Sequence, residues 1–141
     1  MGGDEWRHVG PYQRDLAAAF RREQEIELAG DDRGFPGCTV AQLWDAPEWM
    51  EYIYTGGTAT VLDQALMVEP TDTEGGPYMR PLTEAEVRSW APGGRPTHAA
   101  WTDALDSGRL AFPGRGCGNC TVLYDDAGGP AQIAYWGCTS D

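Results

Sequence analysis

Cys120-Thr121-Val122-Leu123-Tyr124, then Asp125-Asp126-Ala127-Gly128-Gly129, then Gln132-Ile133-Ala134-Tyr135-Trp136: this run decides the fold class. Two short segments rich in β-branched and aromatic residues flank an Asp/Gly stretch that suits a hairpin loop. Alternation along the first segment puts Cys120, Val122 and Tyr124 on one phase, the inward one. Strands joined in a hairpin run antiparallel. The chain therefore ends in a small antiparallel sheet, and what precedes must cover it.

Reading upstream, most of the remaining signals are helical. Thr97 can cap a helix carrying Trp101, Ala104 and Leu105 on its buried side, with Gly108 just past its end. Thr83-Glu84-Ala85-Glu86 is a capping box, placing Val87 and Trp90 inward, and Pro92-Gly93-Gly94-Arg95-Pro96 stops that helix. Thr39-Val40-Ala41-Gln42 is a second capping box, ahead of Leu43 and Trp44. Pro47 belongs in the first positions of a further turn with Trp49, Tyr52 and Ile53. A longer helix is predicted from Tyr12, with Leu16, Ala19, Phe20 and Ile26 near one face, and residues 30–37 break it. Between these lies Thr58-Ala59-Thr60-Val61-Leu62, whose β-branched content predicts a strand running on towards Val68 with an irregularity near Asp63. Residues 70–81, with their Pro and Gly, read as a loop, and residues 1–10 as an extended lead-in. The expectation is one α+β domain over residues 11–141, a small, mainly antiparallel sheet of about three or more strands packed against several short helices.

Composition bounds the function. The chain has 141 residues, enough to bury roughly two thirds of its unfolded surface without a metal or disulfide. Against 22 acidic residues stand 10 basic ones, all Arg, for a net charge of −12. Such a surface repels phosphate backbones and anionic lipid heads, which argues against nucleic acid and membrane. The absence of Lys removes Schiff-base chemistry and the P-loop Lys. The start, Met1 to Glu5, lacks the basic and apolar regions of a signal peptide, and no apolar run is long enough to cross a bilayer, so a cytoplasmic location with reduced thiols is expected.

Several residue sets could carry chemistry. Cys117-Gly118-Asn119-Cys120 has the shape of half a zinc site; a full set needs Cys38 and Cys138 to converge on it. Read as core thiols, the four need no metal, and no cofactor is expected. Gly56-Gly57-Thr58 could form an anion-holding nest of backbone amides. Asp63 after a β-rich run, His98 in the first turn of a helix and Tyr124 at a strand end are the candidates for base, second base and hydrogen-bond donor of a small enzyme. Trp44, Trp49, Tyr52 and Tyr54 crowd one region, as a corner of the core or as a binding wall.

Three stretches carry a resemblance: Pro11-Tyr12-Gln13-Arg14-Asp15-Leu16, Gly57-Thr58-Ala59-Thr60-Val61-Leu62-Asp63, and Tyr135-Trp136-Gly137-Cys138-Thr139-Ser140-Asp141. In order and spacing the chain resembles a group of uncharacterised small actinobacterial proteins. It departs from them at Ala59, where the group has His, and at Cys138, where it has an aromatic. The resemblance implies a domain beginning near Pro11 and singles out Asp63 and Asp141 among the acids; it implies no reaction, ligand or partner.

Two functions from different classes follow. The first is an acidic interaction protein of immunity- or antitoxin-like type, acting on a basic protein partner. The second is a small cofactor-independent enzyme (cyclase, isomerase or lyase) with an aromatic-lined pocket for a small apolar ligand. A zinc-stabilised domain is a weaker third.

Overall fold

The terminal hairpin forms the middle of the sheet. In the computed structural model, which describes residues 3–72 and 76–140, β4 (Gly118–Tyr124) and β5 (Pro130–Cys138) run antiparallel, with Cys120 opposite Tyr135 and Val122 opposite Ile133. The Asp125 carboxylate closes the connection by accepting the Ala127 and Gly129 N–H groups at 3.0 and 2.9 Å. β1 (Glu5–Pro11) adds antiparallel to the outer edge of β5, so the opening stretch is more than an extended lead-in: it is a strand of the sheet. On the other side β3 (Tyr78–Pro81) pairs parallel with β4, and β2 (Leu66–Met67) parallel with β3. The strand order is β1-β5-β4-β3-β2. The fold is α+β with a mixed sheet whose long ladders are the antiparallel ones.

Helices cover both faces. Side chains alternate along β5, so Ile133 and Tyr135 face one way and Ala134 and Trp136 the other, all four fully buried. On the first side lies α1 (Leu16–Gly30), started by Asp15, whose carboxylate accepts the Ala18 N–H. Its Ala19 and Phe20 pack with Trp6, Val61, Met79, Cys120, Ile133 and Tyr135. The Trp6 ring packs against Gly137, where any side chain would collide with it. On the second side α4 (Glu84–Trp90) and α5 (His98–Asp106) bring Val87, Trp90, Trp101, Ala104 and Leu105 onto Leu123, Ala134 and Trp136. A third cluster belongs to α2 (Val40–Asp45) and α3 (Pro47–Thr55), where Val40, Leu43, Trp49, Ile53 and Leu62 meet. Each fully buried side chain of this kind contributes roughly 1.5–3 kcal/mol.

Local chemistry explains the helix starts. Thr39 and Thr83 each form a complete capping box, with Gln42 and Glu86 reaching back to the cap N–H, and Pro47 sits in the first positions of α3. Two more expectations fail. The strand predicted over Thr58–Leu62 is instead a bend followed by a single 3-10 turn, Val61–Asp63. The threonine hydroxyls that suggested β structure are used locally: Thr60 N–H donates to Thr58 Oγ1, and Leu62 N–H to Thr60 Oγ1. The loop predicted over 70–81 ends early, because Tyr78–Pro81 pairs with β4.

Candidate functional site

The bend at residues 57–60 exists to hold Asp63. Its Oδ1 accepts the Thr58 N–H at 2.6 Å and the Thr58 hydroxyl at 2.7 Å; its Oδ2 accepts the Ala59 N–H at 3.0 Å. Gly57 has φ +77°, and a Cβ there would lie 3.1 Å from Oδ2 and 3.2 Å from the Thr139 side chain. Ala59 takes φ +56°, a left-handed conformation costly for a residue with a Cβ. The chain accepts that strain because Asp63 is buried and needs donors. Burial pushes its carboxyl above the usual 3.8, and the Thr58 and Ala59 donors pull back against that rise, with Arg33 adding a smaller electrostatic pull. Of the three amides that could cradle an external anion, Thr58 N–H is spent on the protein's own carboxylate, and Gly56 and Gly57 N–H both donate to the Tyr52 carbonyl at 3.0 Å. From α1, the buried Gln24 amide donates to the Val61 and Gln64 carbonyls at 3.1 and 2.6 Å and fixes the turn from behind.

A second buried group escaped the sequence reading. Glu23 on α1 is almost fully enclosed, and His8 Nε2 of β1 lies 2.7 Å from its Oε1. Glu27 lies 4.0 Å from His8 Nδ1, and the His8 ring is 5.9 Å from that of Tyr135. Gly10 makes room, since a Cβ there would fall 2.7 Å from the Glu23 carboxyl carbon. Burial pushes the Tyr135 hydroxyl well up, helped by the nearby Cys120 and Glu23, and that hydroxyl has no hydrogen-bond partner among the described residues. The sequence signal was faint: Glu23 looks like any acid on a polar helix face, and only the pairing of β1 with β5 brings His8 over it.

The other sequence candidates do not assemble. Asp63 belongs to the α1 side, His98 lies on the opposite side against Trp101 at 5.7 Å, and Tyr124 ends β4 with the Arg95 guanidinium over its ring at 5.9 Å. The aromatic crowd is a filled corner: Trp49 is fully buried, with Phe35, Trp44 and Tyr52 edge-on to it at 5.3, 6.2 and 5.5 Å. Tyr54 points away and is half exposed. Asp141 lies outside the described residues. The four cysteines do not converge, which corrects the zinc reading: among the described residues no three metal-ligating side chains cluster. Cys38 packs with α2 and α3, Cys120 is sealed between sheet and α1, and Cys117 and Cys138 sit where β4 begins and β5 ends.

What remains open to solvent is a set of shallow grooves. One of about 330 Å³ runs between the end of α1 and the start of α2, floored by Leu28, Ala29, Phe35 and Val40 and rimmed by Glu25 and Asp32. Another, of about 410 Å³, lies where β3 stops short of β4, beside Val87, Arg88, Arg95 and Tyr124. No helix among the described residues is long and apolar enough to cross a membrane. Comparisons with known protein families, curated proteins and solved structures found no match.

Proposed function

We propose that the protein is an acidic interaction protein of immunity- or antitoxin-like type that binds a basic protein partner. One observation carries the reading. The lobe made by the second half of α1, α2 and α3 exposes Glu25, Asp31, Asp32, Asp45, Glu48 and Glu51, and its one cation, Arg33, already pairs with Asp31 at 3.3 Å. The same lobe carries the acid-rimmed apolar groove and two exposed apolar side chains, Ile26 and Tyr54. A partner presenting Arg or Lys around an apolar anchor complements that surface in charge and in shape. The enzyme reading has less support, because Asp63, His98 and Tyr124 stand apart and the large rings fill space rather than line it.

The test is affinity capture from the source cell's lysate with the intact protein as bait. A basic protein retained at about 50 mM salt and released near 0.5 M is the expected result, since the Debye length falls roughly threefold over that range. Retention of no protein under the low-salt condition, or of an acidic one insensitive to salt, overturns the reading.

A further inference from the structure

The pattern Cys117-x-x-Cys120 looks like a thiol pair, and the sheet takes it apart. Cys120 points to the α1 side, among Phe20, Ile133 and Tyr135. Residues three apart along a strand face opposite ways, so Cys117 belongs to the side of Trp136. The residue across from it is Cys138. Gly118 pairs with Gly137, the next rung outward is 117 against 138, and the Cys138 N–H donates to the Cys117 carbonyl at 3.2 Å. Directly opposed residues share a face, with Cβ atoms about 4.5–5.5 Å apart. A disulfide needs roughly 3.5–4.5 Å, and a rung bridged by a backbone hydrogen bond lies at the wide end of the opposed-pair range, so this one must close by roughly 1–2 Å. The place is suited to that. It is the open end of the β4–β5 ladder, Cys117 is flanked by Gly116 and Gly118, and the Gly116 N–H is already shared between the Cys138 and Thr139 carbonyls at 2.9 and 3.3 Å.

Access is one-sided. Cys117 is half-buried and forms part of the wall of a groove of about 240 Å³ together with Tyr78, Arg80 and Asn119. Among the described residues its thiol reaches the Gly76 and Arg115 carbonyls, at 3.6 and 3.7 Å. Cys138, on the neighbouring strand, is buried. We propose that Cys117 and Cys138 are a redox-active cross-strand pair whose co-reactant is a low-molecular-weight disulfide such as oxidised glutathione. The Cys117 thiolate attacks one sulfur of the reagent and forms a mixed disulfide. One glutathione leaves as thiolate and takes up the proton that Cys117 gave up. The Cys138 thiolate then attacks the Cys117 sulfur and expels the second glutathione, which takes up the Cys138 proton. Two protein thiols become one disulfide, and one oxidised glutathione becomes two reduced ones. The product pins the end of β5, whose continuation Thr139 holds Asp4 through its N–H and Oγ1 at 2.9 and 2.7 Å.

The experiment treats the folded protein with oxidised glutathione, removes the reagent, and counts thiols after denaturation. The count should fall from the four cysteines of the sequence to two, with peptide mapping showing a 117–138 link. Cys38→Ser should leave that link unchanged, and Cys138→Ser should trap one glutathione on Cys117. If the latter variant does not fold, the wild-type map decides alone. A thiol count that stays at four, a 117–120 link, or glutathione that remains on Cys117 of the wild-type chain overturns the proposal.

Discussion

Asp63 needs both carboxylate oxygens, because each faces a different donor. Replacing it with Asn keeps an oxygen for the two Thr58 donors but turns an amide nitrogen towards the Ala59 N–H, now 3.0 Å from Oδ2. An unanswered buried donor costs about 1–3 kcal/mol, so Asp63→Asn should lower the urea midpoint by that much stability without changing the slope. An unchanged midpoint would mean that the bend holds itself without the carboxylate. Glu86 gives the opposite kind of acid. Paired with Arg80 through two bonds of 2.7 and 2.9 Å, its carboxyl is held down at about 2, chiefly by that pairing, against an ordinary 4.5. A lowered acid stabilises the fold above its unfolded value and loses that contribution as pH falls through the folded one. Wild type should therefore be more stable than Glu86→Gln at neutral pH, and the gap should shrink between about pH 4.5 and pH 2. Asp63, raised by burial, has the reverse sign: its stabilising share declines as pH climbs from 3.8 towards its folded value. Melting curves of both variants across the acid range separate the two contributions.

At the scale of elements, the α2–α3 corner tests whether the aromatic residues are core or contact surface. Trp49→Ala removes the ring on which Phe35, Trp44 and Tyr52 converge and should cost about 3–5 kcal/mol in denaturant unfolding. Tyr54→Ala, from the half-exposed face of the same helix, should stay within about 0.5 kcal/mol. Similar losses from both would mean that the corner extends further than its packing indicates. What the sequence made legible follows the same division. The helix starts were readable because a capping box closes within four residues, as at Thr39–Gln42 and Thr83–Glu86, and the terminal hairpin because its turn chemistry lies between its strands. β1 and β3 were not, because each acquires its partner from far along the chain: Glu5 meets Cys138, and Met79 meets Gly118. The Thr58–Leu62 stretch misled for a third reason. Threonine serves a strand through its branching and a bend through its hydroxyl, and only the position of the Asp63 carboxylate decides between them. Of the site candidates, Asp63 stood out as an acid in an apolar run, whereas Glu23 gave no such sign until β1 was placed over α1.

For the whole molecule, the decisive quantity is the charge that nothing offsets. Each exposed Arg–acid pair, such as Arg7 with Asp106 or Arg88 with Glu84, adds little at the surface, and the net charge stays at −12. Repulsion of that kind works against the compact state and is screened by salt, so the melting temperature should rise between about 10 mM and 0.2 M salt. Acids kept for solubility alone and acids kept for a partner separate under one change. Neutralising Glu25, Asp32, Asp45 and Glu48 to their amides touches the acidic lobe and leaves in place the hydrogen bonds of Asp63 and the ring contacts around Trp49. Stability should hold or improve, by up to about 0.5 kcal/mol per site, because like charges are removed from one lobe. Retention of the basic partner in the low-salt capture should be lost in the same variant. Stability that improves while capture persists would place the interface elsewhere on the surface, and a loss of both would mean that these side chains hold the lobe together rather than present it.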